Sequence, residues 1–397
     1  MKYINLIFIF VLLMPITALA DGGFFYPMAG VGHSADQKAI LVYDPDFAKE
    51  TMILHTEQDW TDSKHKEDFA WVVPEPSLMS QGDFTTLANA EGAFEELYYL
   101  TEPRGNIFYE PPVCGGCMRD NAGDEALSGE VTVVESFQVE NYDIQILTSE
   151  DSSDMQNWLE ENGYSYSEES IPVLDYYIQK DWYFTAVKIN MSPDSASTTI
   201  SSSTALNPLQ MTFSTDNLIF PLHISSASSD PSEKTEILLY IFAPYRVAST
   251  NYNTMEMEIR DKTFSSDEDF QDYYNNKFNS LLNGSDGRGF IVEYASPLSY
   301  PPYALEPILE PDKEYYLTRL RTEISPIKMD EDVEFAQAET NEPFIIGMKT
   351  PKPDRFIYLA SILGIFSVFR IFSNSHLLKK SLVIGSIVMI IISLIIF

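Results

Sequence analysis

Along most of this chain, apolar and polar residues alternate in short runs rather than recurring every three or four positions. Lys38–Tyr43 (KAILVY), Thr51–Thr56, Phe69–Val73, Val131–Val139 and Tyr142–Leu147 carry β-branched and aromatic residues between turn-forming residues. A second set follows at Trp182–Ile189 (WYFTAVKI), Leu209–Phe213, Leu218–Ile224, Glu236–Phe242 and Tyr315–Arg321. These runs read as strands, because a pleated backbone sends successive side chains to opposite faces and accommodates branched ones. In DFAWVVPEPS, Phe69, Trp71 and Val73 alternate with Ala70 and Val72, so both faces are apolar and burial on both sides is expected. Pro74 and Pro76 are expected to end that strand in an extended exit.

Helical periodicity is scarcer. Met155, Trp158 and Leu159 share one face, which predicts a helix over Asp154–Asn162. Ser153 is the expected N-cap, with Gln156 completing a capping box and Gly163 at the residue after the C-cap. A second helix is predicted over Phe84–Leu100, with Leu87, Phe94, Leu97 and Tyr98 inward, and a third over Val173–Ile178. The fold class is therefore α+β: β-rich, with mostly antiparallel sheets in a sandwich-like arrangement and a few helices. Ser192–Ser203 reads as a long loop. A boundary near 165–180 would divide an N-terminal β-rich region, 21–170, from a C-terminal one, 171–350.

Three longer apolar stretches break this pattern. Lys2 is followed by Ile4–Met14, apolar except for Asn5, and then by Ala18-Leu19-Ala20. Residues 1–20 thus read as a secretory signal peptide with cleavage after Ala20. Phe356–Phe372 and Ser381–Phe397 are each 17 residues long, at the lower edge of what spans a bilayer. Arg370, Lys379 and Lys380 gather around the connection between them. A transmembrane hairpin of two short helices over 356–397 would put that connection in the cytoplasm and the main body outside it. The expected partner of this region is the membrane.

Between these segments lie about 330 residues, enough for a substantial core. Acidic residues outnumber basic ones 59 to 25, for a formal charge of −34. A chain so acidic repels phosphate backbones, which excludes nucleic acid as a partner and leaves cations, basic proteins or an envelope component. The acidic clusters Asp120–Glu125, Glu150–Asp154, Asp267–Asp269 and Asp330–Glu334 lack the spacing of a calcium loop, so no metal is expected.

Chemical motifs are few. Gly30-Val31-Gly32-His33-Ser34-Ala35 spells a dinucleotide fingerprint but lacks the preceding strand. His33, His55, His65 and His223 form no metal-ligand spacing, and no nucleophile elbow or P-loop occurs, so no catalytic residue and no cofactor is assigned. Cys114 and Cys117, in PPVCGGCMRD, are the two cysteines. Outside the cytoplasm a local disulfide is the leading reading, with thiol–disulfide exchange, metal binding and intermolecular pairing as alternatives. Arg319 and Arg321 lie two apart on a predicted strand and so share a face. They are candidates to clamp an anionic ligand, or else to pair with the chain's own acids.

Three groups of residues carry a family resemblance: KEDFAWVVPEPS (Lys66–Ser77), YLTRLRTEISPIKMDEDVEF (Tyr316–Phe335), and WLEENGY (Trp158–Tyr164) with WYFTAVKIN (Trp182–Asn190) and FPLHIS (Phe220–Ser225). In this order, after GGFF (Gly22–Phe25), the chain resembles the bacterial domain of unknown function 2330 over about residues 21–340. The resemblance implies a bacterial, exported and often membrane-anchored protein, with no activity or catalytic residue to carry over. The expected location is the bacterial cell membrane. The expected role is a non-enzymatic binding or envelope-surface domain, with a Cys114/Cys117 redox protein and an Arg319/Arg321 anion sensor as alternatives.

Overall fold

The computed structural model describes residues 23–25, 37–55, 70–87, 90–104, 132–162, 170–189, 208–227, 233–259 and 264–346. Ala20, Cys114, Cys117, the Ser192–Ser203 stretch and both C-terminal apolar runs lie outside them. Among the described residues no helix is long and apolar enough to cross a membrane.

The first half of the chain supplies β1 (Gly23–Phe25), β2 (Gln37–Asp44), β3 (Lys49–His55), β4 (Ala70–Glu75), β5 (Phe84–Thr86), α1 (Ala90–Thr101), β6 (Thr132–Val139), β7 (Tyr142–Thr148) and α2 (Ser152–Glu161). Next come α3 (Ile171–Ile178), β8 (Tyr183–Ile189), β9 (Leu209–Ser214), β10 (Leu218–Phe220), β11 (Thr235–Ala243), β12 (Val247–Ser249) and β13 (Asn253–Glu256). The remainder is α4 (Asp267–Gly284), β14 (Gly289–Pro297), β15 (Tyr316–Ile324), β16 (Val333–Gln337) and β17 (Phe344–Ile345).

These strands form three sheets. The largest runs β13-β14-β15-β11-β2-β3-β9-β5, with β17 also on β14; the others run β1-β4-β8-β7-β6 and β10-β16-β12. Pairing is antiparallel except between β2 and β11 and between β13 and β14. The large sheet draws β2, β3 and β5 from before residue 170 and its other strands from after it. β2 lies inside this sheet: its buried backbone is hydrogen-bonded by β11 on one side and β3 on the other, while its apolar faces, Ile40 and Val42 on one and Ala39 and Leu41 on the other, are covered by the layers above and below.

Four layers result. One face of the large sheet (Leu41, Met52, Met211, Leu239, Phe290, Leu320) packs on the two smaller sheets through Val73, Ile144, Val187, Phe220 and Phe335. Its other face (Ile40, Ile53, Tyr240, Phe242) is covered by Phe94 and Leu97 of α1 and by Leu305 and Leu309. Farther along, Ile291 is covered by Phe270, Tyr274, Phe278 and Leu282 of α4. The outer face of the five-stranded sheet, with Val72, Leu147 and Phe184, is covered by α2 and α3.

Several elements differ from the sequence expectation. Phe84–Leu100 is not one helix: β5 occupies its start, because Phe84-Thr85-Thr86 pairs with β9 and buries Phe84 between sheets. The β-branched threonines favour that extended pairing over a helical turn. On α1 itself Leu97 is buried as expected, but Tyr98 faces solvent. α2 is capped by Asp151 rather than Ser153; its carboxylate accepts from Ser153 N–H and Asp154 N–H. β4 continues through Pro74 to Glu75, with Pro74 lying past Val72, the last residue paired with β1. α4 was not predicted, although Ser266 caps it and Asp267, Glu268 and Asp269 fill its first turn, where acids suit the helix dipole.

Two acids lie inside the sandwich. Glu50, on β3, is fully buried; one of its oxygens accepts from Ile219 N–H at 3.0 Å, which ties the large sheet to the three-stranded one. Burial drives its carboxyl pKa well above the ordinary value. Glu75, also buried, accepts from Thr185 Oγ1, and burial pushes its pKa from 4.5 up to about 8. Glu75 is therefore protonated in the folded core at neutral pH and ionised once unfolded. The stability this protonation supplies is present below about pH 4.5 and is lost as pH rises toward 8. Glu75→Gln removes the dependence. The stability gap between this variant and the unmodified chain should widen between pH 5 and 8 by on the order of 1 kcal/mol per pH unit. Denaturant melts across that range measure the gap; a gap that stays constant would show that Glu75 does not titrate in this window.

Candidate functional site

β15 alternates its side chains so that Leu320 enters the inter-sheet core while Arg319 and Arg321 face the helical layer. Opposite them, β14 carries a bulge between Val292 and Tyr294. Glu293, two residues from Ile291, shares its helical-layer face and meets the arginines there, and the bulge brings Tyr294 to that side as well. Glu293 is 1% exposed. Its Oε2 lies 2.6 Å from Arg319 Nε, and its Oε1 lies 3.9 Å from Arg321 Nη1. The Arg319 contact is a close ion pair whose N–H is not aligned with the oxygen, so it is not a directed hydrogen bond.

The rest of the cluster surrounds these three residues. Arg321 Nη2 donates to Glu236 Oε2 at 2.5 Å, and its Nη1 donates to Tyr274 OH of α4 at 3.1 Å. Tyr274 OH in turn donates to Glu293 Oε1. Arg319 Nη1 donates to Thr101 Oγ1 at the end of α1, 3.1 Å away. The guanidinium of Arg321 lies over Phe278, and that of Arg319 over Tyr240 and Tyr98. Burial opposes the charge on Arg321, but Glu236, Tyr274 and Glu293 outweigh it and hold its pKa above the usual value. Burial, then Glu293, raises the Tyr274 hydroxyl, and burial pushes Tyr240 up to about 12. The two candidate arginines are thus brought together, and the anions they hold are carboxylates of this same chain.

A second polar cluster joins α3 to the segments around residues 223 and 329. Tyr177 is fully buried; its OH donates to Asp332 Oδ1 at 2.5 Å and accepts from Ile224 N–H at 2.9 Å. His223 N–H donates to the same carboxylate oxygen at 3.1 Å. The His223 ring sets Nδ1 2.5 Å from Met329 O, which places a proton on Nδ1. Lys180 Nζ donates to Tyr176 OH at 2.6 Å and lies 3.7 Å from Asp332 Oδ2. Burial raises the pKa of Asp332 and drives that of Tyr177 well up. Chemically the Tyr177 phenol keeps its proton and donates it in a hydrogen bond to Asp332 beside a half-buried imidazole. Structurally it fastens three segments that are distant in sequence.

Sequence reading counted His223 among four histidines without metal-ligand spacing and did not identify its partners. The available signal was Tyr176 and Lys180, four apart on one helical face, together with FPLHIS and KMDEDVEF, which supply His223, Met329 and Asp332. The described acidic clusters have structural partners: Asp151 caps α2, Asp267–Asp269 open α4, and Asp330 and Glu331 hold Arg288. Among the described residues no group of three or more histidines, cysteines or acids is placed to hold a metal ion. Cys114 and Cys117 lie outside the described residues.

Arg319→Met leaves Glu293 buried with the Tyr274 hydroxyl and the more distant charge of Arg321. It should cost about 3–5 kcal/mol, the usual penalty for stranding one buried charge. Adding Glu293→Gln should recover more than half of that loss. Guanidinium unfolding of both single variants and the double variant measures the coupling. Costs that simply add would mean that the two side chains do not act as a pair.

Comparison with known proteins gives one family and little else. No curated protein matches the chain. Among solved structures, a mutated baculovirus P35 after caspase cleavage is 10% identical, covering 79% of this chain and 100% of that one with a TM-score of 0.29. So low a score carries no argument about fold or role. Residues 19–336 match the family described as uncharacterized proteins conserved in bacteria, domain of unknown function 2330. The match takes in the stretches that form both polar clusters, and the chain belongs to that family.

Proposed function

We propose that this protein is an extracytoplasmic, membrane-tethered binding domain of the bacterial envelope and performs no catalysis of its own. The observation that carries this reading is the internal use of its buried charge. Arg319, Arg321 and Asp332 are committed to partners within the chain, while the surface is left acidic. Buried charges paired in this way position layers, whereas a net charge of −34 acts outward on cationic partners. Placement outside the cytoplasm is supported by the apolar run ending at Ala18-Leu19-Ala20 and by the basic residues Arg370, Lys379 and Lys380 beside two apolar stretches. In that compartment Cys114 and Cys117, separated by two glycines, form a loop disulfide.

The test is fractionation of cells expressing the full chain. The protein should sediment with membranes, resist extraction by carbonate, and lose its main body to external protease when the outer face of the cytoplasmic membrane is exposed. Alkylation without reductant should leave both thiols unmodified by intact mass. Protection of the body from external protease would overturn the location, and two alkylated thiols would overturn the disulfide.

A further inference from the structure

The inter-helix side of the large sheet ends in a surface whose composition differs from the rest of the exterior. On the last turns of α1, Tyr98 is 47% and Tyr99 59% exposed, beside Leu100 at 46%. The Tyr98 and Tyr99 ring centroids lie 5.8 Å apart. In the segment after β14, Tyr300 is 84% and Tyr303 73% exposed. The two segments touch, since the N–H of Ala304, next to Tyr303, reaches Glu96 Oε2 one turn before Tyr99. Large aromatic rings are not left in water by chance in such numbers at one place.

Carboxylates interleave with these rings. Glu95 precedes Tyr98 and Tyr99 by one helical turn, Glu306 follows Tyr303 by three residues, and both are exposed. Two bases lie near: Arg104, held by Glu102 at 2.7 Å and by the carbonyl of Tyr99, and buried Arg319, which lies under the Tyr98 ring and is paired with Glu293. A face of tyrosine rings between carboxylates attracts cations twice over, through ring quadrupoles and through charge, and repels anions.

We propose that this face docks a basic segment, rich in arginine and lysine, of a partner protein. The tyrosine rings stack on its guanidinium and ammonium groups, and Glu95 and Glu306 neutralise them. This inference rests on the binding-domain reading above and names the face and the partner chemistry for it.

The probe is a fluorescent nona-arginine peptide titrated against the full-length protein in neutral detergent, followed by anisotropy at moderate salt. Tyr99→Ala with Tyr303→Ala leaves the net charge unchanged and should weaken binding about tenfold. Phenylalanine at both positions should retain it. Glu95→Gln with Glu306→Gln should weaken binding more than Asp267→Asn with Glu268→Gln, which removes the same charge from the first turn of α4. All four positions are exposed, and far-ultraviolet circular dichroism checks that each variant folds. Wild-type affinity in the double alanine variant, or equal effects of the two charge pairs, would reduce the binding to diffuse attraction and overturn the face. Sedimentation with zwitterionic vesicles that depends on the same tyrosines would reassign the face to a lipid surface and likewise overturn it. Absence of any peptide binding overturns the cationic partner but leaves the location, which protease accessibility decides separately.

Discussion

Strands β2 and β11 are apolar on both faces, and neither face can be left to water. Burying one face of Ala39–Val42 and Ile237–Phe242 requires a second β layer; burying the other requires helices. The four-layer order follows from that requirement. The five- and three-stranded sheets close the inner face, and α1 and α4 close the outer one. The five-stranded sheet, once recruited, has an outer face of its own, with Val72 and Phe184, and α2 and α3 cover it. Each layer exists because the one beneath it would otherwise expose apolar area at roughly 25 cal/mol per Å².

Several buried polar groups hold elements in register, between layers or between neighbouring strands of one sheet. Glu50 reaches from β3 to the backbone of β10, and Glu75 reaches from β4 to Thr185 on β8. The Arg319–Glu293–Arg321 group joins β14 and β15 to α1 through Thr101 and to α4 through Tyr274. Asp332 and Tyr177 join α3 to the three-stranded sheet. Apolar packing tolerates sliding, whereas a directed hydrogen bond at a seam does not.

Much of this was legible in the alternation of residues. The strands at Lys38–Tyr43, Glu236–Phe242 and Tyr315–Arg321 are where the pattern placed them, and the shared face of Arg319 and Arg321 follows from a period of two. Their partners were not legible. Glu293 shares a face with Ile291, but that β14 lies beside β15 is set by the fold and not by any local pattern. α4 is the exception: Phe270, Tyr273, Tyr274, Phe278, Leu281 and Leu282 recur at helical spacing, so its signal was present in the sequence and was overlooked. The Asp332 cluster draws on residues more than a hundred positions apart, which only the fold brings together.

The core carboxyl of Glu75 gives the folding reaction itself a chemical stoichiometry. It is ionised in the unfolded chain at neutral pH and protonated in the folded one, where its pKa is about 8, so folding takes up a proton from solvent. The buffer must supply it, and its heat of ionisation enters the calorimetric enthalpy. The unfolding heat of this protein therefore belongs jointly to the chain and to the buffer, and differs between phosphate and an amine buffer at the same pH and the same midpoint.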